Sequence, residues 1–230
     1  SLPFSQPILI GLINESAVSA LRHSFQSVAF KSTNQSMASC ARCFRRMYRD
    51  QFAYQPVTLA PPVQLDNATM GQGVVLVKNG RRICGTGAAR ANCPVSQDKA
   101  YWEVKLQSCG SWGIGLGTVR CDLESPNNLG SDAESWALRD DAAIYHGNQP
   151  VAKLPDPVQE GDVIGLTYDH VTLEVFLNGK PMHTPVTGIR GTVFPTFYVD
   201  DGAILDCAFA AFAFGPPVGF RELIKEKQLL

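Results

Sequence analysis

The chain is short of charge. Only 18% of its 230 residues are Asp, Glu, Lys or Arg, and 20 bases nearly balance 21 acids, for a formal net charge of −1. A mildly acidic body of this kind is poorly suited to a polyanion, which argues against nucleic acid as a partner. Long apolar runs are missing too. Nothing reaches the ~20 consecutive apolar residues that a helix needs to cross a bilayer. There is no G-x-S-x-G elbow and no P-loop, so two common frames for catalysis and phosphate binding are absent. No fixed period recurs along the chain, which excludes a propeller.

Cysteine is present without order. Cys40, Cys43, Cys84, Cys93, Cys109, Cys121 and Cys207 make an odd count at irregular spacings. That pattern argues for free thiols in a reducing compartment rather than a disulfide framework. His146, His170 and His183 fall on separate segments with no ligand spacing, so neither a metal site nor a cofactor is expected.

What is there is unevenly distributed. Residues 1–36 carry a net charge of +1 and residues 37–50 a net of +3, which leaves −5 for residues 51–230. Residues 1–36 are Ser-rich and nearly free of acid, and read as a disordered or non-native N-terminal extension, with Met37 the candidate start. Residues 37–62 form a Cys/Arg-rich tail and a Pro linker. Arg42, Arg45, Arg46 and Arg49 crowd around Cys40 and Cys43. S-acylation of those two cysteines beside a polybasic patch would make a two-signal membrane anchor. An unmodified basic tail is the equal alternative. Zinc is weaker, because no second Cys pair or His pair lies in register with Cys40-x-x-Cys43.

From Val63 the texture changes. Asp162–Tyr168 is a continuous apolar and β-branched run, and Thr172–Leu177 alternates with period two. Asp169-His170 turns the chain between them, and Asn178-Gly179 turns it again. Similar runs come every eight to twelve residues: Gly73–Val77, Arg81–Thr86, Tyr101–Gln107, Trp112–Thr118, Ser135–Leu138, Ala142–Tyr145, Thr192–Val199 and Ala203–Phe209. With no long helical pattern between them, the fold expected is an all-β antiparallel sandwich. Residues 85–94, 119–132 and 146–160 read as loops. A short C-terminal helix over Arg221–Lys227 is expected to pack Phe220, Leu223 and Ile224 onto the body.

Several of these runs carry a family pattern. Tyr101-Trp102-Glu103-Val104 and Trp112-Gly113-Ile114-Gly115-Leu116 are two of them. Gly161-Asp162-Val163-Ile164-Gly165 follows, continuing through Tyr168-Asp169 to Asn178-Gly179. Phe194-Pro195 and Asp206-Cys207-Ala208-Phe209 complete it. Together they resemble the SPRY domain family over roughly residues 63–210, with 211–230 a C-terminal extension packing on the domain. The resemblance implies a bent, concanavalin-like sandwich. Gly130 to Trp136 (GSDAESW) and Tyr145 to Pro150 (YHGNQP) resemble the SPRY-and-SOCS-box adaptors, which grip an acidic, Asn-rich peptide with loops at one end. Their peptide-contacting Tyr is not matched, since Ser125-Pro126-Asn127-Asn128 stands there. Asp200-Asp201-Gly202 replaces their Val-Trp-Gly turn. Neither ubiquitin-ligase recruitment nor that peptide specificity is therefore implied.

The functional expectation is a non-enzymatic, monomeric, cytoplasmic interaction module, with the membrane surface as a second location if the tail is acylated. Its partner is an unidentified protein or peptide, bound through loops at one end of the sandwich. Tyr198, Asp200, Asp201, His146 and Asn148 are the candidate anchors. No catalytic residue is assigned, because side chains of adjacent residues such as Asp200 and Asp201 point apart, which suits turn chemistry better than two acids flanking one bond. Asp169-His170 is a turn rather than an acid/base dyad on the same reasoning. The alternative is a lectin-like or small-ligand site, by fold analogy.

Overall fold

The computed structural model describes residues 61–124 and 128–225. The 1–36 extension, the Cys/Arg tail and the linker up to residue 60 lie outside them. The described chain is all β, without an α-helix. Sheet A has seven strands: β1 (Leu65–Met70), β4 (Gly87–Ala91), β14 (Val193–Asp200), β6 (Ser111–Thr118), β7 (Ser135–Arg139), β8 (Ala143–His146) and β9 (Gln149–Lys153), in that spatial order. Sheet B is ordered β12 (Lys180–Pro181), β11 (Thr172–Leu177), β10 (Val163–Tyr168), β5 (Ala100–Ser108), β15 (Ile204–Ala208), β3 (Arg82–Gly85) and β2 (Val74–Val77). The two-residue β13 (Val186–Thr187) pairs with β11, and β16 (Arg221–Glu222) pairs with β5.

The sandwich closes because each sheet offers one apolar face to the other. Trp102, Val104 and Leu106 of β5, Ile164 and Leu166 of β10, Ile114 and Leu116 of β6, and Phe197 and Val199 of β14 belong to one buried core. The strand pair predicted at 162–177 sits centrally in sheet B, with Ile164 opposite Leu177 and Tyr168 opposite Leu173. Its turns work as their residues dictate. Asn178 and Gly179 both take positive φ (49° and 78°), which suits a tight hairpin. At the other end His170 has φ 66°, and Asp169 Oδ1 accepts the Val171 and Thr172 amides at 3.1 and 2.7 Å. Asp169 is thus engaged in shaping the turn. His170 Nε2 lies 2.9 Å from the Gln97 carbonyl oxygen.

Three expectations need correction. Residues 87–91 are a strand between β1 and β14, not loop. Gly-Ala-Ala-Arg-Ala has weak strand propensity, but two flanking ladders override it, and Ala89 and Ala91 are fully covered. Residues 149–153, expected within a loop, form edge strand β9, where Pro150 is tolerated because one side of the ladder is unpaired. The C-terminal helix does not form over 221–225. Arg221 and Glu222 instead pair in parallel with Ala100 and Tyr101. Gln97 fixes them, its Nε2 donating to the Glu222 oxygen (2.9 Å) and its Oε1 accepting the Ile224 amide (2.8 Å). One helical turn cannot repay its nucleation cost against such partners. Leu223 is buried as expected, while Ile224 is half exposed.

The glycines of β6 permit close approach. A Cβ on Gly115 would overlap the Trp136 carbonyl oxygen and come within 2.8 Å of Ala137 Cα. Both obstacles are backbone of the paired strand β7, so nothing can swing aside. Gly115→Ala is expected to cost about 3 kcal/mol or more. Gly147→Ala, where the new methyl meets nothing within 4 Å, should cost about 1 kcal/mol from its positive φ alone. Urea denaturation of both variants checks the difference.

Candidate functional site

Tyr198 and Asp200 alternate on the outer face of β14, away from the core that takes Phe197 and Val199. Tyr198 is only 2% exposed. It packs with Ala88, Cys121, Leu129 and Ala137 beneath the 119–134 loop. Its hydroxyl reaches Asp200 Oδ2 at 3.4 Å. Asp200 Oδ1 accepts the Thr86 hydroxyl (3.0 Å) and the Asp201 amide (2.9 Å). Asp201 takes φ 49° and is exposed at the tip of the β14–β15 turn, which the Ala203 amide closes onto the Asp200 carbonyl at 2.9 Å. The Asp201 amide first, then Thr86, holds the Asp200 carboxyl below its ordinary value. Tyr198 is pushed up by burial, then by the Asp200 charge.

More acid stands beside this turn. Asp200 pairs across the ladder with Ser111, and the Ser111 hydroxyl is a hydrogen-bond partner of Asp140. Burial first, then the neighbouring Asp141 charge, raises Asp140. The ion pairs found among the described residues are Lys78–Asp206, Arg82–Asp206 and Arg120–Glu134. None involves Asp200, Asp201, Asp140 or Asp141. This end of the sandwich is therefore rich in carboxylates that form no close ion pair among the described residues, with the Arg139 charge near Asp140 and Asp141.

His146 and Asn148 lie elsewhere. Tyr145 pairs with Ala137, Ala137 with Gly115 and Gly115 with Thr196. His146 is one residue beyond that level and Asp200 four residues the other way, so they differ by roughly 16 Å along the strands and three strand spacings, roughly 14 Å, across. His146 stacks on Trp136, with ring centroids 4.4 Å apart and planes at 6°. Its Nδ1 donates to the Ser135 carbonyl at 2.9 Å. Asn148 has φ 59° and gives its amide to the Gly130 oxygen.

The five candidate residues thus form two groups. Residues 128–132 run between them. Asn128 Nδ2 donates to the Trp112 carbonyl near the Asp200 end. The Gly147 and Asn148 amides donate to Asp132 and Gly130 at the other end. Arg139 ties this segment down. It donates to Leu129 O at 2.8 Å and Ser131 Oγ at 2.9 Å, with its guanidinium 4.0 Å above the Tyr145 ring. Beneath the segment is a pocket of about 160 Å³ walled by Tyr198, Asn128, Asp132, Ser135 and Cys121. Burial, with Asp132 second, pushes the Cys121 thiol up to about 12, so it stays protonated at neutral pH and is not a ready nucleophile. The five described cysteines are all free thiols. Among the described residues no three His, Cys, Asp or Glu side chains gather as a metal site, and no described helix is long and apolar enough to cross a membrane.

Sequence reasoning did not pick out Thr86, Arg139 or Glu103. Arg139 ends β7, and its role depends on a loop ten residues earlier. Glu103 stands in the sequence only as part of the Tyr101-Trp102-Glu103-Val104 pattern. It is 2% exposed and accepts three backbone amides from residues 213–215. An acid centred between aromatic and β-branched residues was the available signal.

The SPRY domain profile matches residues 99–211. SPRY domain-containing protein 7 of Gallus gallus is 51% identical over 196 residues, covering 84% of this chain and 100% of that one. The same-named Homo sapiens protein is 50% identical with the same coverage. This chain belongs to the SPRY domain family. SPRY domain-containing SOCS box protein 3 of Xenopus tropicalis is 27% identical, over 56% of this chain and 41% of that protein. Among solved structures, the TRIM65 PSpry domain shares the fold at TM-score 0.54 and 14% identity, covering 79% of this chain and 99% of that one. The SPRY domain of human HERC1 does so at 0.53 and 15%, covering 63% and 96%.

The Asp200 geometry carries its own test. Its folded pKa lies below the ordinary 3.8. The stability it contributes is therefore present above the unfolded value and lost as pH falls through the lowered folded value. Thr86→Val removes one donor and should move the Asp200 carboxyl titration upward, toward 3.8. Carboxyl-detected NMR titration of wild type and variant measures this, and an unmoved pKa would contradict the Thr86 contact.

Proposed function

We propose that the chain is a non-enzymatic protein-interaction module that grips an extended segment of a partner protein along the 200–201, 128–132 and 146–148 rim. SPRY domains mediate protein–protein interaction. The observation that carries the finer reading is the carboxylate group at Asp200, Asp201, Asp140 and Asp141, with no ion-pair partner among the described residues. Such a surface favours a basic partner and repels an acidic one. Tyr198 supports the site from below rather than by exposed contact. From Asp200 to the backbone of His146 the rim measures roughly 21 Å, the reach of about six extended residues; the His146 ring itself turns away from the outer face onto Trp136.

Asp200→Lys with Asp201→Lys is expected to abolish partner capture in cells while lowering the melting temperature only slightly, since Asp200 ties a surface turn and neither carboxylate holds the core. Unaltered capture by the folded variant would move the site elsewhere.

The second element of the proposal is location. Cys40 and Cys43, among four arginines, lie outside the described residues. They supply the two signals for reversible anchoring at the cytoplasmic membrane surface. Residues 37–230 should partition to membranes, and Cys40→Ser/Cys43→Ser should release them. A soluble wild type, or no labelling by acyl-biotin exchange, rejects the anchor and leaves the rim untouched.

A further inference from the structure

The outer face of sheet B is roofed at one place by the chain's own C-terminal segment. Leaving β15, residues 209–220 cross Tyr101 and Glu103 before returning as β16. Glu103 accepts four hydrogen bonds: from the Tyr101 hydroxyl (2.8 Å) and from the amides of Ala213 (2.6 Å), Phe214 (3.0 Å) and Gly215 (3.0 Å). No Lys, Arg or His pairs with it among the described residues. A covered carboxylate without a counter-ion depends on its donors. Three of the four belong to the covering segment.

That cover differs from a core contact. Glu103 faces outward, opposite Gly165 of β10, whose missing side chain makes room for the Tyr101 ring. If residues 211–215 lift, water reaches the carboxylate, and no charge is left stranded in an apolar interior. The apolar hold is thin. Phe212 meets Tyr101 edge-on at 4.9 Å. Phe214 leans on Gly179 but remains 53% exposed. Ala211 and Ala213 are exposed. Left-handed residues bracket the three amides, Ala211 at φ 54° and Gly215 at φ 84°. The return at 221–224 has a separate tie through Gln97, and Leu223 is buried.

We propose that residues 211–215 are a latch, closed by the Glu103 carboxylate, that opens independently of the sandwich. Opening uncovers a trough floored by Tyr101, Glu103 and Phe176, a face of two aromatic rings and one acid that the closed molecule does not present. Few buried apolar contacts and a solvent-side hydrogen-bond anchor are the properties of a low-stability unit.

Hydrogen exchange by mass spectrometry on the full chain decides it. In wild type the amides of 213–215 should exchange faster than those of β5 and β10. Glu103→Gln keeps the shape and removes the charge. It should accelerate exchange at 213–215 by roughly tenfold or more, with β10 unchanged. Phe212→Ala, which leaves the carboxylate in place, should accelerate the same amides by a smaller factor. The latch is overturned if 213–215 and β10 exchange together as one unit, or if neither substitution changes the rate. A Glu103→Gln chain that cannot fold also overturns it, because the carboxylate would then support the sandwich itself.

Discussion

The structure is arranged around one strand that is covered on both faces. β5 places Trp102, Val104 and Leu106 in the core between the sheets, and Tyr101 and Glu103 on the opposite side beneath the C-terminal segment. It pairs with β10 on one edge and β15 on the other, and it also receives β16. Core, sheet order and chain end therefore all refer to the same nine residues. A strand so placed must be apolar on one side and specifically satisfied on the other, because a covered polar group without partners costs more than most packing contacts return. Glu103 meets that condition through backbone donors.

This arrangement explains what was legible in the sequence. Alternating or continuous apolar runs and turn dipeptides located β5, β6, β10, β11, β14 and β15 to within a residue or two, since those strands bury one or both faces and their turns need Asn, Gly or Asp. Patterns failed where neighbours decide the conformation. Gly87–Ala91 became a central strand despite its small residues. Gln149–Lys153 became an edge strand around a proline. Arg221–Glu222 paired with β5 because Gln97 was waiting for their carbonyls. The first and third depend on partners far away in the chain, while Gln149–Lys153 pairs with the neighbouring strand β8 in a short hairpin.

The candidate site was legible in part. The two carboxylates of the β14–β15 turn could be read from sequence, and Asp200 accepts the neighbouring Asp201 amide there. Their separation from His146 and Asn148 could not, because it follows from register across four strands. Nor could the segment 128–132 that bridges the two groups, held by Arg139 through the carbonyl of Leu129. What emerges is a rim rather than a pocket, negative at one end and aromatic-backed at the other. Its Asp200 end lies on the outer side of sheet A, whereas the His146 ring turns to the core side and stacks on Trp136; the Glu103 latch covers part of the outer side of sheet B.

The central claim is that partners meet the chain at the Asp200–Asp201 end. Site-specific photo-cross-linking in cells tests it most directly, with a photoreactive phenylalanine placed at position 201 in one chain and at position 171 in another. Val171 is 65% exposed at the β10–β11 turn, where its amide donates to Asp169, and serves as the distant control. The account predicts a defined protein adduct from position 201 and none from position 171. Adducts from position 171 with none from position 201 would contradict it.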